Sequence, residues 1–260
     1  MYNLGIMQGR IYPANKKKYN LFPLSWETEI NKLKKVGFDY VELLYDREES
    51  TNNPICRNSS YLGKLTQISK GKLYSINLDY FTKNNFFTDI DKSKKILEHI
   101  LSISKRLKIK VIIIPCIEKN LLSKDQFLLL VKYLKKNLSS RSPKISIEID
   151  NFKNIIKNHL NQKIGICFDT GNIASKSKNF IEEIFKFKNQ INHFHLKDKK
   201  KINKTFVNCP LGEGIVDINF FFITLQLINY KGAITFETSY KNNPPKEAEK
   251  NLKFVKKIIS

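Results

Sequence analysis

A chain of 260 residues, 41% of them hydrophobic, can bury one large core and suits a single barrel of about 250 residues. It holds no run of about 18 uncharged apolar residues, so no membrane span is expected; the first residues, MYNLGIMQGR, lack the basic start and long apolar stretch of a signal peptide, so the chain reads as cytoplasmic. The formal net charge of +22 rests on 46 basic residues, of which only Arg10, Arg47, Arg57, Arg106 and Arg141 are arginine; phosphate and base-edge recognition favours the guanidinium fork, so no specific nucleic-acid partner is expected, although so positive a field would attract an anionic substrate.

Short apolar runs then alternate with amphipathic stretches. The first strand is read at Asn3–Met7. Ser25 opens a helix with Glu27 and Glu29 in its first turn, and Gly37 closes it. Strands follow at Tyr40–Leu44 and Leu73–Asp79, with a helix at Tyr61–Ser69 between them. Asp89 to Leu107 places Ile96, Ile100, Ile103 and Leu107 on one helical stripe. A strand at Val111–Cys116 leads to a helix at Ser123–Leu138, and a strand at Ile145–Asp150 to a helix at Phe152–Leu160. The last three strands are Ile164–Asp169, Asn192–Leu196 and Ala233–Thr238, followed by helices at Asn179–Phe187, Asp217–Ile228 and Pro245–Ile259. Lysine runs at residues 16–18 and 199–201 read as solvated loops. Cys56, Cys116, Cys167 and Cys209 have no CxxC spacing and read as free thiols.

Eight strands in strict β–α alternation predict a parallel sheet, and in this length a closed (β/α)₈ TIM barrel. Residues 1–260 are expected to form one domain. The competing open sheet would need a GxGxxG after an early strand, and none occurs.

Barrel strands alternate between the interior and the helix layer. In ISIEID the isoleucines face the helices and Ser146, Glu148 and Asp150 face inward. The same parity ends at Asp169 in IGICFD, selects His193, His195 and Lys197 in HFHLK, and selects Thr235 and Glu237 in ITFE. A carboxylate buried in a barrel must be paired or bound to metal. Glu148, Asp169, His195 and Glu237 therefore define an expected site of three carboxylates and one imidazole. Mn²⁺ or Mg²⁺ suits it best, and the imidazole also admits Co²⁺ or Zn²⁺. Each residue also has a plainer use: a strand-end Glu can cap a loop, His193 can be a satisfied interior histidine, and Lys197 with Asp198 can be a surface ion pair. Agreement of four residues in parity, strand order and height favours the metal.

The segments LGIMQGR, GFDYVEL, ISIEID, ICFDTGN, HFHLKD, PLGEGIVD and TFETSY, in this order, resemble the sugar phosphate isomerase/epimerase group of xylose isomerase-like barrels. The resemblance runs from the first strand to the last. It implies metal ligation by Glu148, Asp169, His195 and Glu237, the set that parity also selects, and a dual use of Glu148 and Glu237 as ligands and proton-transfer groups. Related ketose epimerases carry a histidine where this chain has Asn172. They carry an arginine shortly after the metal histidine, where this chain has Lys197 and Lys199–Lys201. Both departures weaken the implication of the same substrate.

Removing a proton beside a carbonyl leaves an unstable enediolate, which a chelating divalent ion stabilises. One carboxylate then takes the proton and a second, on the other face, returns it. The substrate expected is a small keto-sugar or sugar phosphate. Glu42, Asn77, Glu118, Asn172, His193 and Lys197 are the expected pocket residues, with Glu42 alternatively paired to Arg10. The 210–217 segment, with Gly212 and Gly214, reads as a flexible rim loop. Phe22 and Trp26 could cover a sugar face, with helix packing favoured for Trp26. Rival readings are a keto-sugar or keto-cyclitol dehydratase, an endonuclease IV-like repair enzyme, for which four histidines supply too few ligands, and a sugar-binding barrel without turnover. A homodimer is compatible with all of them.

Overall fold

The structure, a computed structural model, describes residues 2–12, 22–150, 152, 155, 157–177, 179–240 and 242–260. The lysine run at residues 16–18 lies outside them. In chain order the elements are β1 (Asn3–Met7), α1 (Trp26–Val36), β2 (Tyr40–Leu44), α2 (Leu62–Ser69), β3 (Leu73–Asn77), α3 (Tyr80–Lys83), α4 (Ile90–Leu107), β4 (Val111–Pro115), α5 (Lys124–Asn137), β5 (Lys144–Ile149), β6 (Ile164–Asp169), α6 (Thr170–Ala174), α7 (Phe180–Phe187), β7 (Ile191–Leu196), β8 (Asp198–Ile202), β9 (Thr205–Cys209), α8 (Ile218–Leu227), β10 (Ala233–Phe236) and α9 (Pro244–Ile259). Eight strands close a parallel barrel in the order β1-β10-β7-β6-β5-β4-β3-β2, and β8 pairs with β9 alone.

The expected strands and helix starts recur with shifts of a residue or two at their ends. Ser25, Asp89, Ser123 and Asp217 cap their helices by accepting a backbone N–H, the role such side chains take at helix starts. Two expectations change. Asp79 does not extend β3; it begins the short helix α3. Of the helix read at Phe152–Leu160, residues 153, 154 and 156 lie outside the described set, and Lys157–His159 form a 3-10 turn in place of an α-helix.

The chain packs as two units. One comprises residues 42–167 and 189–192. Here β4 pairs with β3 and β5 in parallel register, Ile113 opposite both Asn77 and Ser146. Val111, Ile113 and Cys167 form one buried cluster with Tyr74 packed on it, so Cys167 is a packing residue. The other unit comprises residues 1–41, 168–188 and 193–260. In it β10 lies between β1 and β7, with Ile6 opposite Phe236 and Thr235 opposite His195. Its core is aromatic: the Phe194 ring meets Phe168, Phe221 and Tyr230 at centroid distances of 5.6, 5.3 and 4.8 Å. Trp26 is buried in this unit, as helix packing requires.

The 199–201 run corrects the sequence reading. It is not an irregular loop but the first arm of an antiparallel hairpin, with Lys200 opposite Val207 and Ile202 opposite Thr205. Asn203 takes the left-handed backbone of its turn, a conformation asparagine tolerates. The hairpin stays solvated from Lys201 to Val207.

Candidate metal centre and active site

Three of the four expected ligands meet in the second unit described. Asp169 closes β6, His195 lies in β7, and Glu237 follows β10 directly. All three are buried, and one ligand atom from each lies within 4.8 Å of the others. Strand register accounts for this: Thr235 stands opposite His195, and the Glu237 N–H continues the ladder to the Leu196 carbonyl at 3.0 Å.

The cationic residues here are placed as closely as the carboxylates. Lys197 Nζ lies 3.0 Å from Asp169 Oδ2 and 2.7 Å from Glu237 Oε1. His195 Nδ1 is 3.4 Å from Glu237 Oε2, and Arg10 Nη2 is 3.6 Å from Glu237 Oε1. Burial acts to raise the Glu237 carboxyl, but Lys197, His195 and Arg10 outweigh it and hold the group well below the usual carboxylate range. Asp169 is pushed the other way by burial, against the pull of Lys197. The two carboxylates share one ammonium, and Glu237 also faces Arg10.

Lys197 and Asp198 are thus not a surface ion pair; both are buried. The Lys197 main chain is locked to the end of β6, where Thr170 Oγ1 donates to its carbonyl at 2.6 Å and accepts its N–H at 2.9 Å. Asp198 turns its carboxylate to four backbone amides: Lys199 and Val216 on Oδ1, Gly212 and Gly214 on Oδ2, at 2.8–3.1 Å. The 210–217 segment is therefore tied down by Asp198, where the sequence had suggested a loose loop. A Cβ on Gly214 would collide with Asp198 Oδ1 and the Lys199 carbonyl, so only glycine allows this approach.

The remaining expected residues fall in different settings. Asn172 is in the first turn of α6, and its N–H donates to Asp169 Oδ1 at 2.6 Å. This bond caps the helix and fixes the Asp169 rotamer. His193 Nε2 lies 2.9 Å from Thr235 Oγ1, which is 2.7 Å from the Tyr40 hydroxyl. His193 thus belongs to a buried polar chain, its ring 5.5 Å from that of His195 and edge-on to it. In the other unit, Glu148 is buried near the end of β5. Its carbonyl accepts the Cys116 N–H at 2.8 Å, and its charge adds to burial in pushing the Cys116 thiol up. Glu42 lies in the middle of β2 and accepts a 2.6 Å hydrogen bond from Ser75. Asn77 ends β3 and is buried, whereas Glu118 is exposed.

Sequence reasoning missed Arg10 as a neighbour of Glu237 and Asp198 as a loop anchor. A basic residue placed just after a barrel strand was the available signal for Arg10.

A family model described as xylose isomerase-like TIM barrel matches residues 30–258. The chain belongs to that family. Among individual relatives, a Haemophilus influenzae protein named as an L-ribulose-5-phosphate 3-epimerase, SgbU, is 35% identical over 82 residues, 30% of this chain and 29% of the relative. The match thus spans less than a third of that protein. Solved structures align over nearly the whole length. The IOLI protein with a bound zinc atom gives a TM-score of 0.74 at 15% identity, covering 99% of this chain and 96% of that one. The 3-keto-D-glucoside 4-epimerase YcjR from E. coli gives 0.70 at 14%, covering 99% and 100%. D-psicose 3-epimerase with D-tagatose from Clostridium cellulolyticum H10 gives 0.69 at 13%, covering 99% of each. At these identities the likeness establishes the fold. No helix among the described residues is long and apolar enough to cross a membrane.

Proposed function

We propose that the chain is a divalent-metal-dependent isomerase or epimerase of a small keto-sugar or sugar phosphate, working as one domain. The observation that carries this reading is the buried convergence of Asp169, His195 and Glu237, with ligand atoms within 4.8 Å of one another. Two carboxylates and an imidazole fit Mn²⁺ or Mg²⁺, and also Co²⁺ or Zn²⁺. Glu148, inward by strand parity and buried, is proposed as the fourth ligand. Family membership and the epimerase names among the relatives support the reaction class.

The ion would supply Lewis-acid stabilisation of charge developing on the substrate carbonyl oxygen. The chain's own groups do the rest. One of Glu148 and Glu237 takes the proton from the carbon beside the carbonyl, and the other returns one. Return to the same carbon from the opposite face epimerises it; return to the neighbouring carbon isomerises aldose and ketose. Lys197 and Arg10 keep Glu237 ionised, and Asn172 holds Asp169 in its ligand rotamer.

The test is a panel of keto-sugars and their phosphates incubated in deuterated water with Mn²⁺. Deuterium should enter at the carbon beside the carbonyl of at least one sugar, and chelator should stop it. Glu148→Gln and Glu237→Gln should each slow exchange by about 10²–10⁴-fold. Exchange that survives both substitutions, or that ignores chelator, removes the two-carboxylate metal mechanism.

A further inference from the structure

Strand β1 ends at Met7, and Gly9 turns the chain at φ +79, a backbone conformation that favours glycine. The amides around this turn converge on one side chain, Glu29 in the first turn of α1. Gly9 N–H donates to both of its carboxylate oxygens at 2.9 and 3.0 Å, and the N–H groups of Ile11 and Tyr12 donate to Oε1 at 3.0 and 3.1 Å. Glu29 is buried. Burial pushes its carboxyl up, while the three amides and the Arg10 charge pull it down. A buried carboxylate satisfied by three amides is a rigid clamp, because releasing any one of them leaves a polar group stranded.

Arg10 stands between the clamped amides. It is 1% exposed and one of the largest fully buried side chains. Its Nη2 is 3.4 Å from Met7 Sδ and 3.6 Å from Glu237 Oε1. Glu29 already holds the turn through backbone bonds, so the turn does not need the guanidinium for its shape. A buried ion pair is in any case weak grounds for a purely stabilising role. What the arrangement does determine is where the guanidinium stands relative to Glu237.

We propose that Arg10 is a positioning residue: carried on the turn whose backbone Glu29 clamps, its guanidinium fixes the Glu237 carboxylate through Oε1 and so presents Oε2 on the His195 side. This rests on the reading of Glu237 as a metal ligand and proton-transfer group. Glu237 is a flexible side chain, and Oε1 also meets Lys197 at 2.7 Å. The lysine is a point charge on a flexible stem and can follow a moving carboxylate. The guanidinium is a planar fork, pre-organised for a carboxylate, and here it is fully buried. Two cations stand on Oε1, and Oε2 is the oxygen on the His195 side, 3.4 Å from Nδ1. Groups that orient metal ligands change affinity or activity about 10–100-fold when lost.

The experiment loads wild type, Arg10→Met, Arg10→Lys and Glu29→Gln with Co²⁺ and reads calorimetric affinity, the visible Co²⁺ spectrum and thermal stability. Arg10→Met should bind Co²⁺ about 10–100-fold more weakly, with a shifted visible band in the folded protein, and Arg10→Lys should recover part of both. Glu29→Gln, whose side chain faces backbone amides, should shift the band in the same direction as Arg10→Met. Wild-type affinity and spectrum in Arg10→Met overturn the proposal, as does a Glu29→Gln variant that loses stability with an unchanged spectrum. Wild-type protein that binds no Co²⁺ overturns the metal reading instead. The ¹³C resonance of the Glu237 side-chain carboxylate then decides the positioning role alone: a shift in Glu29→Gln supports it, and an unchanged resonance overturns it.

Discussion

Replacing Asp198 by alanine isolates the anchor of the 210–217 segment. Four amide hydrogen bonds of 2.8–3.1 Å end on this one carboxylate. Hydrogen bonds to a charged group contribute about 1.5–3 kcal/mol each when both partners are buried, but the four are not equal. Gly212 and Gly214 are exposed and Lys199 is half-buried, so their amides can turn to water; the Val216 amide is buried with its residue. Burial of the Asp198 carboxyl, which raises its pKa against the pull of the amides, offsets part of the gain. The net loss for Asp198→Ala is then about 2–3 kcal/mol, dominated by Val216. For a chain of this size that lowers Tm by about 5–10 °C. Asp198→Asn keeps one acceptor oxygen but turns an NH₂ toward N–H donors, so it should fall between wild type and alanine. Thermal denaturation measures the shift, and amide hydrogen exchange locates it. Exchange at Val216 should accelerate far more than exchange in β10. A Tm within about 1 °C of wild type, with Val216 still protected, would refute the argument that this carboxylate holds the segment.

Two further outcomes follow from the same geometry. Lys197→Met removes the ammonium shared by Asp169 and Glu237, which should cost about 3–5 kcal/mol in chelator. At one fixed Mn²⁺ concentration the gap to wild type should narrow, because the variant lacks the ammonium that competes with the cation and so has the lower Kd; equal melting of variant and wild type in chelator would show that the lysine neutralises nothing. All four cysteines are free and buried, and burial, helped by Asp46, pushes the Cys56 thiol up to about 12. A thiol raised this far stays protonated from pH 7 to 9, and the thiolate is the reactive form. Native protein should therefore resist alkylation at pH 8 and titrate four thiols after unfolding. Rapid modification of native Cys56 would contradict both its burial and its raised pKa.

The barrel was legible because its signals are local. Ile145 and Ile147 alternate with Ser146 and Glu148, and such period-two patterning reads out a strand without any tertiary information. Capping residues did the same for helices: Ser25, Asp89, Ser123 and Asp217 each stand one residue before the helix they open. The hairpin of β8 and β9 escaped for the converse reason. Its first arm reads DKKKI, a charge run without an apolar alternation, and it forms by pairing with β9 over a two-residue turn. A short solvated ribbon needs no apolar face, so hydropathy carries no trace of it.

Which carboxylates and imidazoles point inward was also a matter of parity, and Asp169, His195 and Glu237 do meet. What they meet besides one another was not legible. The Glu237–Lys197 pair depends on β10 lying beside β7 in a register that sets Phe236 opposite Leu196, and a one-residue slip would turn every side chain on β10 to the other face. Arg10 reaches Glu237 because β1 lies on the other edge of β10, with Ile6 opposite Phe236, and because a glutamate 19 residues downstream of Arg10 grips the turn that carries it. Neither adjacency is encoded within a window of the sequence; the first arises when β10 pairs with β7, the second when β1 pairs with β10. Strand parity therefore selects which carboxylates and imidazole face inward, while strand neighbours select the cations beside them. Substitutions at Arg10, Glu29 and Lys197 probe how those cations are placed.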